Sequence, residues 1–82
     1  MCIIVIKREG IPMPKKSFLK DCFKNNPHGA GFMTIENEKV SIYKGFETFK
    51  DFYTKVEQFN KKTLKALPVI FHFRYATHGG HM

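Results

Sequence analysis

The chain has no tryptophan, two cysteines, two arginines and only seven acidic side chains in 82 residues. Each shortage excludes something. Two cysteines cannot form the disulfide framework that small secreted domains use in place of a large core, so Cys2 and Cys22 are expected to be thiols in a reducing, cytoplasmic setting. No run of about 18 apolar residues is present to span a bilayer, and Cys2-Ile3-Ile4-Val5-Ile6 is too short for the core of a signal peptide. Few acids against twelve lysines leave a formal charge of +7. The scarcity of arginine argues against specific nucleic-acid recognition, which favours bidentate guanidinium contacts. Lysines spread from Lys7 to Lys65 read as a soluble surface that attracts polyanions at low salt.

What is present is apolar patterning. A chain this short makes one small domain that buries roughly 60% of its unfolded surface, and nine phenylalanines argue for a folded core over disorder. The clearest strand starts after Pro68 and runs Val69-Ile70-Phe71-His72-Phe73-Arg74-Tyr75 towards Gly79-Gly80. Alternation puts Val69, Phe71, Phe73 and Tyr75 on one face and Ile70, His72 and Arg74 on the other. That second face is polar for a central strand. One reading makes Arg74 a satisfied structural cation and His72 a core histidine. The other makes the strand end an anion clamp rimmed by Thr77, His78 and Gly79.

In chain order, Cys2 to Ile6 is a continuous β-branched run of the kind covered on both faces. Ile11-Pro12-Met13-Pro14 is an extended connector. A short helix follows with Phe18, Leu19, Cys22 and Phe23 as its apolar stripe, stopped at Asn25-Asn26-Pro27. Gly29-Ala30-Gly31 permits close backbone approach at a strand start. Phe32 to Ile35 and Val40 to Tyr43 form a hairpin through Glu36-Asn37-Glu38-Lys39, closed by Lys44-Gly45-Phe46. From Thr48 the period becomes helical, with Phe49, Phe52, Tyr53, Val56 and Phe59 on one face and a Thr48/Asp51 capping box. Asn60 to Thr63 ends this helix, and Leu64 to Leu67 leads to the last strand. The pattern predicts an α+β fold, a mostly antiparallel sheet with two covering helices.

The segment His72-Phe73-Arg74-Tyr75-Ala76-Thr77-His78-Gly79 closely resembles the His-x-Arg-x-Ala-Thr-His-Gly stretch of class II glutamine amidotransferases. Those enzymes are N-terminal-nucleophile hydrolases whose nucleophilic cysteine directly follows the initiator methionine, and this chain begins Met1-Cys2. Asn26-Pro27-His28-Gly29-Ala30-Gly31 resembles their Asn-x-Asp-Gly-x-Gly segment, with His28 where many members carry aspartate. Lys44-Gly45-Phe46 is similar to a stretch of the small phage-type members. The resemblance implies that Cys2 attacks the side-chain carbonyl of glutamine, that ammonia leaves, and that water hydrolyses the glutamyl thioester. A cysteine thiol is mostly protonated at neutral pH, and the α-amino group freed by removal of Met1 would take its proton. By the same resemblance Arg74 grips the substrate α-carboxylate, and Thr77, His78 and Gly79 line the glutamine pocket. No cofactor is implied. His72, His78, His81 and Cys2 make a poor preorganised metal site, so none is expected.

The family fold is a four-layer αββα sandwich about twice this length, so the chain corresponds to its first half. The family's oxyanion-hole Asn-Gly pair and the aspartate that holds the substrate amino group have no counterpart before Met82. The expectation is a weak or inactive domain on its own. It fits a truncated amidotransferase or a half whose second sheet comes from a partner. It also fits a non-catalytic phage-type binding or inhibitor protein that uses its basic surface on a protein or nucleic acid. In each case an apolar sheet face is expected to dimerise or seek a protein partner.

Overall fold

The structure is a computed structural model, and it describes residues 2–75. In order it contains β1 (Cys2–Lys7), α1 (Lys16–Asn25), β2 (Ala30–Glu36), β3 (Lys39–Phe46), α2 (Phe49–Glu57), α3 (Lys61–Ala66) and β4 (Val69–Arg74). The fold is α+β. All strand pairs are antiparallel and the order across the sheet is β1-β4-β2-β3. The strand with the strongest pattern is therefore internal, with β1 on one side and β2 on the other.

The helices cover one face only. Val69, Phe71 and Phe73 point into a core completed by Phe32 of β2, Leu19 and Cys22 of α1, Phe52 and Val56 of α2, and Leu64 of α3. Phe52 is the hub of this core. Its ring lies 5.4 Å from Phe73, 6.0 Å from Phe32 and 6.2 Å from Phe71, each edge to face, the preferred geometry for aromatic pairs.

The other face is open, and here β1 departs from expectation. A continuous β-branched run predicts cover on both sides, but β1 is an edge strand with Ile4 63% and Ile6 67% exposed. Ile35, Val40 and Ile42 are exposed on the same face, and Met33 and Ile70 are half-buried there. The registers Ile6↔Ile70, Met33↔Ile70, Met33↔Ile42 and Ile35↔Val40 make these side chains one continuous apolar surface.

Three further differences have local causes. A third helix, α3, forms where the sequence pattern gave only a connection. Asn60 does not end α2; its side-chain oxygen accepts the backbone N–H of Lys62 at 2.8 Å and caps α3. Lys44-Gly45-Phe46 does not close the hairpin but continues β3. There β3 uses one more residue than β2 between the pairs Ala30↔Phe46 and Phe32↔Tyr43, and Gly45 adopts φ +83° in that bulge. The hairpin turn is two residues, Asn37 and Glu38, both left-handed at φ 50° and 66°. The expected helix start holds, with Thr48 Oγ1 accepting the Asp51 N–H at 3.1 Å.

Lys7 is buried, the one lysine of the described residues that is. Its Nζ donates to the carbonyls of Arg8, Ile11 and Lys65 at 2.9, 2.8 and 3.1 Å, tying the end of β1 to the end of α3. Burial pushes its pKa below the ordinary lysine value. Lys7→Met keeps the stem's packing and strips the three bonds. Because Arg8, Ile11 and Lys65 are otherwise exposed, water can reach their carbonyls. The loss of stability, read from the urea midpoint, is therefore expected at the low end for a charged donor, about 1–2 kcal/mol.

Candidate functional site

Cys2 and Arg74, 72 positions apart in the chain, are direct cross-strand partners in the β1/β4 ladder. Both belong to the open face, since Cys2 alternates with Ile4 and Ile6, and Arg74 with His72 and Ile70. Side chains so paired have Cβ atoms about 4.5–5.5 Å apart. Cys2 is exposed and Arg74 half-buried.

The Pro27–Gly29 loop reaches the same end of the sheet. His28 N–H donates to the Arg74 carbonyl at 2.9 Å, and Arg74 N–H donates to the Gly29 carbonyl at 2.8 Å. The loop thus extends the β2/β4 ladder by one pair and fixes the backbone of Arg74 from the side opposite Cys2. The His28 ring lies 4.9 Å from that of Tyr75. Gly31 explains the expected close approach: a Cβ there would lie 2.7 Å from the Tyr43 carbonyl oxygen, a backbone atom that cannot step aside.

Arg74, His28, Gly29 and Gly31 help line a shallow cavity of about 290 Å³ on the open face. His28, Gly29, His72 and Arg74 form one end, and Met33, Ile42, Ile70 and Lys44 contribute to the rest. Cys2 is not in its lining; it stands on the edge strand, across Arg74 from the cavity. His72 is exposed, which overturns its reading as a core histidine. Thr77, His78 and Gly79, the other expected pocket residues, lie outside the described residues, as do Met1 and His81. Among the described residues no group of three or more histidine, cysteine or acidic side chains is placed to hold a metal ion. No described helix is long and apolar enough to cross a membrane.

Cys22 is the second thiol, and it is structural. It is buried under α1, and burial, together with the charge of Asp21, raises its pKa. A thiol whose folded pKa lies above its unfolded value contributes stability that is fully present below the unfolded pKa and is lost as pH rises through the folded one. The stability gap between wild type and Cys22→Ala is therefore expected to narrow as pH is raised from 7 through the alkaline range. Urea melts at stepped pH check this, and the contributions of the shared lysines and tyrosines cancel in the difference.

The lysines read as scattered along the sequence, yet Lys15-Lys16 and Lys61-Lys62 come together beside one groove. No local pattern in the sequence carries this, because it arises from the packing of α3, whose only signal was Asn60 in a capping position. Compared with family models, with curated proteins and with solved structures, the chain matches none.

Proposed function

We propose that this chain is a glutamine amidotransferase-type domain, weak or inactive on its own, in which Cys2 is the nucleophile that releases ammonia from glutamine and Arg74 binds the substrate α-carboxylate. The observation that carries the reading is the antiparallel register that sets Cys2 opposite Arg74. The loop bearing the Asn-x-x-Gly-x-Gly resemblance is hydrogen-bonded to the same arginine. Three stretches that resemble the family separately thus meet at one end of one sheet. The register puts a thiol and a guanidinium side by side on one face of the sheet end. One ligand could then present its carbonyl to a thiolate and its carboxylate to a guanidinium, a charge-assisted and geometrically matched pairing.

The chemistry asks for a base, and the Cys2 α-amino group supplies it once Met1 has been removed. The amine takes the thiol proton, the thiolate adds to the amide carbon, and the ammonium returns a proton to the departing nitrogen as the C–N bond breaks. In the same reading the exposed isoleucines are the surface on which the family's second sheet packs. Its layer would come from a second copy or from another polypeptide, and light scattering after gel filtration separates these. The catalytic proposal is tested by alkylation with a chloroketone analogue of glutamine. Reaction confined to Cys2 and slowed by free glutamine supports it, and equal reaction with or without glutamine speaks against it.

A further inference from the structure

On the helix-covered side, remote from Cys2 and Arg74, lies a groove of about 740 Å³. Its walls are the Pro12–Lys16 connector, the second half of α2 with Phe59, and α3. The floor is apolar: Val56 and Leu64 are buried, and Met13 and Phe59 are half-buried. The rim is basic. Lys15, Lys16, Lys61, Lys62 and Lys65 are all exposed around it, against the single acid Glu57. Such crowding of like charge is unfavourable without a counter-charge. α1 makes it more so, because it starts at Lys15 and Lys16 with no side-chain cap and no acid in its first turn, opposite to the preference of a helix N-terminus.

We infer that this groove binds an acidic polypeptide segment carrying apolar side chains, with carboxylates on the lysine rim and the apolar groups on the Met13/Val56/Phe59/Leu64 floor. The volume falls within the range of about 300–1,000 Å³ typical of ligand sites, which suits a few residues of extended chain. The charges fit carboxylates, because lysine ammoniums on long stems are point charges that need no fixed fork. Single-stranded nucleic acid fits less well, since it relies on open aromatic faces for base stacking. The Tyr53 ring is already engaged, with Lys16 Nζ 4.9 Å from its centroid and the Phe49 ring stacked at 5.5 Å. Phe59 is engaged by Phe32 at 5.8 Å and Tyr43 at 5.5 Å. Pro12 and Pro14 lack N–H groups, so the connector cannot add the peptide as a β-strand and recognition runs through side chains.

The test uses the whole chain and three fluorescein-labelled probes: a ten-residue peptide of alternating glutamate and leucine, its lysine/leucine counterpart, and a ten-nucleotide oligo-thymidine. The acidic peptide is expected to bind and the basic one not. Lys15→Glu/Lys16→Glu/Lys61→Glu/Lys62→Glu should weaken the acidic peptide by at least about tenfold, as four modest ion pairs together imply. Lys24→Glu/Lys39→Glu/Lys44→Glu/Lys50→Glu makes the same change in net charge outside the groove lining and should leave affinity within about twofold. Independently of any variant, bound peptide should protect Lys15, Lys16, Lys61 and Lys62 of the wild type from acylation. Equal loss in both variants would reduce the effect to net charge and overturn the proposal. So would tighter groove-dependent binding of the oligonucleotide, or the absence of lysine protection.

Discussion

Phe52→Ala is expected to leave little folded protein at 25 °C. Phe52 is fully buried, and its ring meets those of Phe32, Phe46, Phe49, Phe71 and Phe73 between 5.4 and 6.2 Å. Truncating a buried phenylalanine costs about 3–5 kcal/mol through lost transfer energy and the cavity left behind. Whole domains have about 0.05–0.15 kcal/mol per residue, so a chain of this size holds on the order of 4–12 kcal/mol. The substitution removes much of that margin, and a thermal melt followed by circular dichroism should show a broad or absent transition. Phe18→Ala is the control: Phe18 is 49% exposed on α1 and should move the melt little.

The contrast between these two phenylalanines shows what a sequence pattern can carry. Phe52 was legible because its neighbours recur at helical spacing and a stripe of five apolar residues can only face a core. Phe18 belonged to a stripe as well, but α1 is short and only Leu19 and Cys22 of it are buried. The strand β4 was legible as internal because its alternation is strong. β1 was not legible as an edge, because a run of β-branched residues looks the same whether its outer face meets a helix or is left open. Ile4 and Ile6 carry apolar character suited to burial, while the fold itself leaves them uncovered. Only resemblance assigns Cys2 and Arg74 to one site from the sequence, and their cross-strand pairing is not legible there at all, since register is a long-range property that no local spacing encodes. Lys7 was missed for a related reason. Its three acceptors are backbone carbonyls, which have no signature in the side-chain sequence.

The second large effect falls on Arg74. If its guanidinium grips the α-carboxylate, Arg74→Ala should slow alkylation of Cys2 by a glutamine-analogue chloroketone by about 10–100-fold, the worth of a charge-assisted hydrogen-bonded contact. Arg74→Lys should recover only part, because a lysine keeps the charge and loses the two-pronged geometry. Reaction with iodoacetamide, which has no carboxylate to grip, should be little changed in either variant. That comparison separates a binding role from a structural one. A residue that merely supported the sheet end would change both reagents alike. Cys22, being buried, should react with either reagent only after denaturation.

The central claim is that Cys2 is an N-terminal nucleophile poised against Arg74, and intact mass spectrometry before and after chloroketone treatment tests it most directly. The expected result is a mass lacking Met1 and a single label mapped to Cys2, with free glutamine slowing its appearance. A chain that retains Met1 and leaves Cys2 unlabelled while Arg74 and the fold are intact would contradict it.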